Sequence, residues 1–320
     1  MTRHEHGLPI AVGIDIGGST IKVGLVQDGK ILDKRTFPTN VGGGAEAALE
    51  KAAVCVREMQ CDSCAIQVVG VGLPGLVRDG KLVAAGNLSG WEGVSIEQIL
   101  TGHLGITVHL YTDICAMAIA ELMAGTIGPD ERALVFVIGT GFGSAAVFDG
   151  VAYGGAAGLM LTPFSHDAVP DEGLTLLEDL AAGPGIARRT AGTIPETDPS
   201  MDAEHVAKLA RSGDAEAVAV WEKTGEYVGW AVVNAAHLLW LDKVVLTGGV
   251  GLAGDLLLRP VQAYFDRHIN PFLRDTCKIV VSSLCQDAGI IGVAESALTG
   301  RVQKETALFP SADMQDSSAL

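Results

Sequence analysis

Two short glycine-rich segments carry the residue types best suited to chemistry in this 320-residue chain. Asp15 ends one apolar run and opens Gly17-Gly18-Ser19-Thr20, with Lys22 two residues on. Gly139-Thr140-Gly141-Phe142-Gly143 follows a second apolar run. Bare backbone N–H groups can bind phosphate oxygens where a Cβ would block the approach. A carboxylate at Asp15 could hold magnesium, through water, against a β- or γ-phosphate. It could equally cap its own turn, as aspartate often does, and glycine in a hairpin can be a simple bend. The duplicated context favours phosphate. Val12–Val26 and Val135–Val147 share one grammar of strand, glycine loop and strand, each closed by an Asp-Gly pair, Asp28-Gly29 and Asp149-Gly150. The repeat of roughly 120 residues is too long for a solenoid. Two similar half-molecules, each offering a glycine loop to one cleft, would hold one polyphosphate from both sides.

Asp113 is the third chemical candidate. It stands where the apolar stretch Thr107–Thr112 stops and an alanine-rich stretch, Ile114–Ala124, begins. A carboxylate at the carboxyl edge of a sheet can act as a general base toward a hydroxyl that receives a phosphoryl group. Aspartate is also among the best helix N-caps, and one residue can serve as both.

The elements that must position these groups alternate. Helices are predicted at Ala45–Gln60, Ser95–Leu104 with Ser95 as N-cap, Leu174–Ala181, Ala203–Arg211, Ala215–Trp240, Leu256–Ile269 and Ala288–Leu298. Strands are predicted at Ile66–Leu73, stopped by Pro74-Gly75, and at Lys243–Thr247 and Lys278–Ser282. Such alternation calls for α/β layers. The expected division is an N-terminal α/β domain over 1–115, rejoined by the helix 288–300, a C-terminal α/β domain over 116–287, and a loose tail over 301–320.

Composition sets limits. Hydrophobic residues at 48%, charged residues at 19% and 41 glycines are globular values. A net charge of −16 disfavours nucleic acid as a partner. It does not disfavour ATP, because magnesium and local backbone dipoles override global charge. The most apolar stretch, Gly229–Leu241, is interrupted by Asn234 and His237 and is too short to span a bilayer. The N-terminal residues lack a signal-peptide pattern, so a cytoplasmic location with no membrane partner is expected. The six cysteines, Cys55, Cys61, Cys64, Cys115, Cys277 and Cys285, are then expected to be reduced. Cys61 and Cys64 form the one C-x-x-C, with no second pair to complete a zinc site.

In these residues, and in their order, the chain resembles the ROK (repressor, open reading frame, kinase) family along nearly its whole length. The resemblance rests on VGIDIGGSTIKVGLV, GVGLPG (70–75), AAGNLSGW (84–91), TDICAMAIAE (112–121) and VIGTGFGSAAVFDGVAYGGAAG (137–158). It continues in LEDLAAGPGIARR (177–189), VVLTGGV (244–250) and AGIIGVAESAL (288–298). It implies an actin-like, ribonuclease-H-like fold of two domains around a nucleotide cleft. ATP with magnesium would be the donor, and a sugar hydroxyl the acceptor. It further implies Asp113 as base, and Asp15, Gly17, Gly18, Ser19, Thr20, Lys22, Thr140, Gly141 and Gly143 at the phosphates. Gly248 and Gly249 would form the adenosine loop, and Gly75, Asn87 and Glu178 would be acceptor contacts. A homodimer is expected.

Departures from the family pattern matter as much. Thr112-Asp113 stands where the family usually has Asn-Asp. Leu159-Met160-Leu161-Thr162 stands in place of Glu-x-Gly-His, and no cysteine occurs between Cys115 and Cys277, so no zinc is expected. Leu159 and Thr162 would then face the far edge of the acceptor, with His166 a candidate to stand in for the missing histidine. Three readings follow: a kinase for the primary hydroxyl of a hexose or amino sugar, the same chemistry on a C7-cyclitol such as a valiolone-like ring, or a non-catalytic sugar sensor. With about ten residues before the first strand, no repressor-type helix-turn-helix is expected ahead of it.

Overall fold

The structure, a computed structural model, describes residues 8–60, 65–85, 87–164, 175–190, 202–284 and 287–302. The chain divides into two compact units. The first comprises the described residues of Met1–Ala116 and Gly289–Leu320, the second those of Met117–Ala288.

In the first unit, β1 (Ile10–Ile16), β2 (Thr20–Gln27) and β3 (Lys30–Pro38) form an antiparallel meander. Helix α1 (Ala45–Met59) leads to β4 (Ile66–Leu73), then to a small hairpin, β5 (Leu76–Arg78) and β6 (Lys81–Ala84). Helix α2 (Ile96–Leu104) and β7 (Val108–Thr112) follow, and helix α3 (Asp113–Met123) carries the chain out of the unit. The sheet order is β3-β2-β1-β4-β7, with β4 and β7 parallel to β1. At the β2–β3 turn Asp28 and Gly29 both have positive φ, 52° and 67°, which is why the Asp-Gly pair is there.

The second unit repeats that order. The meander is β8 (Ala133–Ile138), β9 (Phe142–Phe148) and β10 (Val151–Gly155). Its turn, Asp149-Gly150, again has two positive φ values, 51° and 71°. The short pair β11 (Leu161–Thr162) and β12 (Thr175–Leu176) precedes α4 (Leu177–Ala181), α5 (Gly183–Thr190), α6 (Ala203–Arg211) and α7 (Ala215–Leu239). Then come β13 (Lys243–Thr247), α8 (Asp255–His268), α9 (Pro271–Arg274) and β14 (Lys278–Val281), before α10 (Ala288–Thr299). The sheet order is β10-β9-β8-β13-β14. Both units thus have the actin-like, ribonuclease-H-like α/β topology.

Two expected details differ. Thr175–Leu176 is a strand paired with Leu161–Thr162, so the helix expected from Leu174 starts only at Leu177. Ser95 occupies the N-cap position of α2 but makes no side-chain capping bond.

The period-two alternation of β1 sorts its side chains between two layers. Val12, Ile14 and Ile16 pack with Leu49, Ala52 and Val56 of α1 and Leu100 of α2. Ala11 packs on the other face with Ile290 and Ala294 of α10. That second face is paved with glycine. Gly24, Gly13 and Gly70 are direct neighbours across β2, β1 and β4. A Cβ on Gly13 would lie 2.0 Å from the Ile290 carbonyl oxygen, and one on Gly70 would lie 1.9 Å from that of Val293. The helix backbone therefore rests directly on the sheet. In the second unit, Gly225 and Gly229 of α7 receive Pro260 and Tyr264 of α8. Among the described residues no helix is long and apolar enough to cross a membrane.

Candidate active site

The first unit gathers one group of candidates at the carboxyl ends of its parallel strands. Asp15 is one residue from the end of β1, level with Gly72 of β4, which is level with Tyr111 of β7. Asp113 follows two residues later, as the first residue of α3. Asp15 and Asp113 thus share one edge of the sheet, where loops leave the strands and ligands can approach. Lys22 faces Asp15 across the antiparallel β1–β2 pair, its Nζ 3.7 Å from Oδ2. Gly289, in the first turn of α10, lies so close that a Cβ there would sit 2.9 Å from Asp15 Oδ2.

The first glycine loop is held by its own backbone and by one side chain that sequence reasoning passed over. Gly17 N–H donates to Thr20 O at 2.9 Å, and Thr39 N–H to Ser19 O at 3.0 Å. The buried Thr39 hydroxyl also donates to the Gly17 carbonyl. Only the register of β3 beside β2 brings Thr39 there, so no local motif announces it. Asn87 lies against Gly18, where an added Cβ would come within 2.9 Å of the Asn87 carbonyl oxygen. Gly75 has φ 95°, and a Cβ there would meet the Ala84 carbonyl at 2.0 Å. This glycine lets the chain fold back so that Asn87 reaches the first loop.

Asp113 has the electrostatics of a base. Burial, with the like charge of Asp15 added, pushes its carboxyl from 3.8 up to about 7. Its Oδ1 accepts the N–H of Ile114 at 2.8 Å, which pulls the other way without prevailing. A carboxylate poised near neutrality is what proton abstraction from a hydroxyl calls for.

The second unit gathers the remaining group. Gly139 N–H donates to Gly141 O at 2.8 Å and closes the loop, while Gly183 N–H, at the start of α5, donates to Gly139 O at 2.8 Å. Thr140 forms the tip, and Gly143 lies within β9 opposite Val137. Glu178 Oε2 accepts the N–H of Phe142 at 2.9 Å. Gly248, with φ 87°, passes over the end of β8, where a Cβ would meet the Ile138 carbonyl at 2.5 Å. Val250 N–H bonds that same carbonyl at 2.9 Å, so Gly248 and Gly249 lie beside the Gly139 loop. The Ala182-Gly183-Pro184-Gly185 segment was visible in the sequence but had no role there; its contact with Gly139 supplies one.

Thr162 is fully buried, and its hydroxyl donates to Thr175 O at 3.1 Å within the β11–β12 pair. Leu159 and Leu161 are exposed, at 62% and 55%. His166, Cys61 and Cys64 lie outside the described residues.

The sequence pattern of the ROK family matches residues 11–299. The glucokinase of Halalkalibacterium halodurans is 30% identical over 88% of this chain and 92% of its own length. The glucokinase of Thermotoga maritima is 29% identical over 88% and 95%. Among solved structures, a ROK family glucokinase from Streptomyces griseus, in complex with glucose and AMPPNP, superposes with a TM-score of 0.74 at 24% identity, covering 90% of this chain and 99% of that one. With the match running through both units and both glycine loops, this chain belongs to the ROK family.

Proposed function

We propose that this chain transfers the γ-phosphoryl group of magnesium-ATP to a primary hydroxyl of a hexose or sugar-like acceptor. As a ROK member related to glucokinases it is a sugar kinase, a phosphotransferase with an alcohol group as acceptor. The observation that carries the finer reading is Asp113. It is a carboxyl raised to about 7, at the strand edge that also holds Asp15 and the first glycine loop. Asp113 takes the proton of the attacking hydroxyl as the phosphoryl group departs from ADP. Asn87 orients the acceptor beside Gly18, and Glu178 accepts from another of its hydroxyls. The loops at Gly17–Thr20 and Gly139–Gly143 receive phosphates, and Gly248-Gly249 receives the adenosine. Magnesium arrives with the nucleotide and neutralises phosphate charge. Asp15, one residue from the end of β1 and beside Lys22, would hold that ion through water.

Asp15→Asn is expected to raise the KM for magnesium-ATP and to lower kcat while acceptor KM changes little. Because the Asp15 charge helps to hold the Asp113 carboxyl up, the same variant should move the acidic limb of the kcat/KM profile to lower pH. Steady-state kinetics between pH 5.5 and 8.5, about the range the shifted carboxyl spans, would check both; an unchanged nucleotide KM and profile would remove Asp15 from the mechanism.

A second reading of the acceptor is favoured by exposed Leu159. An apolar side chain there cannot pair with a ring hydroxyl. Each hydrogen bond to a charged partner that glucose fails to make would cost it about 1.5–3 kcal/mol, roughly ten- to a hundredfold. An acceptor whose far edge is aminated, differently configured or carbocyclic should therefore show the higher kcat/KM. Parallel kinetics on glucose, amino sugars and valiolone-like cyclitols would decide, and a sub-millimolar KM for glucose with the highest kcat/KM would defeat this reading.

A further inference from the structure

Glu178 is placed by resemblance at the acceptor, yet its side chain hydrogen-bonds the second glycine loop. Its Oε2 accepts the N–H of Phe142 at 2.9 Å, and Phe142 directly follows Gly141. The fit is close on both sides. A Cβ on Gly141 would lie 2.9 Å from Oε2, and one on Gly158 would lie 3.1 Å from the Glu178 Cβ and 2.4 Å from the Phe142 carbonyl. Gly158 thus leaves room for the Phe142 carbonyl and the Glu178 stem, and Gly141 for the carboxylate tip.

The loop is otherwise fixed by backbone alone. The Gly139 N–H bonds to Gly141 O, and the Gly183 N–H bonds to Gly139 O. Both bonds hold its first half. Beyond Gly141 the loop enters β9, where Phe142 pairs with Ile138 and packs its buried ring edge-on against Phe136, and the bond from the Phe142 N–H to Glu178 adds a side-chain hydrogen bond to this turn. It also keeps the Phe142 N–H from turning toward a phosphate, which leaves the tip at Thr140 and Gly141 to meet the nucleotide.

We propose that Glu178 is a positioning residue for the second phosphate loop, acting on nucleotide affinity through the bond its Oε2 accepts from the Phe142 N–H. This rests on the reading of Gly139–Gly143 as a phosphate loop. Its consequence is specific: a residue expected to affect only the acceptor also sets nucleotide affinity when no acceptor is present.

The test is calorimetric titration of the full chain with magnesium and AMPPNP, without acceptor, for wild type, Glu178→Gln, Glu178→Asp and Glu178→Ala. Glutamine keeps an sp² oxygen at the right reach, so its nucleotide affinity should stay within about threefold of wild type. Alanine removes that oxygen and aspartate withdraws it, and each should weaken the nucleotide about five- to twentyfold. In steady-state assays Glu178→Gln should raise acceptor KM with ATP KM little changed, whereas Glu178→Ala should raise both. Should the alanine variant fail to fold, the aspartate variant carries the same decision. Nucleotide affinity of Glu178→Ala and Glu178→Asp equal to wild type would overturn the proposal. Absence of nucleotide binding by wild type would instead strike down the phosphate-loop reading, and the proposal with it.

Discussion

Asp113→Asn is expected to cut turnover by about 10²–10⁴ while making the folded chain more stable at neutral and higher pH. The catalytic half follows from proton transfer: the amide keeps the size of the side chain and can still accept the Ile114 N–H, but takes no proton. The stability half follows from linkage. In the folded state the carboxyl titrates at about 7, against 3.8 ordinarily, so between those values the folded chain holds a proton that the unfolded chain has released. Stability contributed by this group is therefore fullest at low pH, declines as pH rises from about 4 to about 7, and stays at its lowest above that. An asparagine carries no such penalty. Above pH 7 the variant should gain up to about 4 kcal/mol, each pKa unit of the shift being worth about 1.4 kcal/mol, and the gain should vanish near pH 4. Wild-type kcat/KM should rise with pH through about 7 as the base ionises. Thermal melts at pH 4.5 and pH 8, about the two ends of that window, with kinetics at pH 8, measure both halves. A variant that keeps near-normal turnover would reduce Asp113 to the first residue of a helix.

The second large effect concerns the glycine row beneath α10. Gly70→Ala places a methyl group 1.9 Å from the Val293 carbonyl oxygen, and Gly13→Ala places one 2.0 Å from that of Ile290. In both cases the obstacle is helix backbone rather than a flexible side chain, so α10 must lift from the sheet. Over-packing costs are typically 1–3 kcal/mol, and these should lie at or above about 3 kcal/mol. Catalysis should suffer with stability, because lifting α10 withdraws Gly289 from Asp15. Gly102→Ala is the matched control. It lies within α2, its added methyl meets nothing within 4 Å, and it should stabilise by about 0.8–1 kcal/mol. Urea unfolding midpoints of the three variants would measure the contrast; equal midpoints would mean that α10 does not bear on this row.

These two cases mark what the sequence could and could not disclose. The Asp-Gly turns were legible because positive φ at two successive positions restricts residue choice locally. Helix α7 was legible because its periodicity runs the length of the element. Gly13, Gly24 and Gly70 were read as parts of strands and motifs, because the partner that requires them, α10, lies at the other end of the chain. The β11–β12 pair escaped because two-residue strands carry no period. At the candidate site, residue types and their order were legible, but not environments. The raised carboxyl of Asp113 depends on burial and on Asp15, and the bond between Glu178 and Phe142 joins residues 36 positions apart.

The central claim is phosphoryl transfer to a primary hydroxyl, and one measurement reaches it directly. The full chain is incubated with magnesium-ATP and a panel of hexoses, amino sugars and cyclitols, and each product is examined by ³¹P–¹H correlation NMR. The predicted result is stoichiometric ADP and a monophosphate whose phosphorus couples to the protons of a CH₂OH carbon, with product lost in Asp113→Asn. Coupling to a ring or anomeric proton, or ADP formed with no phosphorylated acceptor anywhere in the panel, would contradict the account.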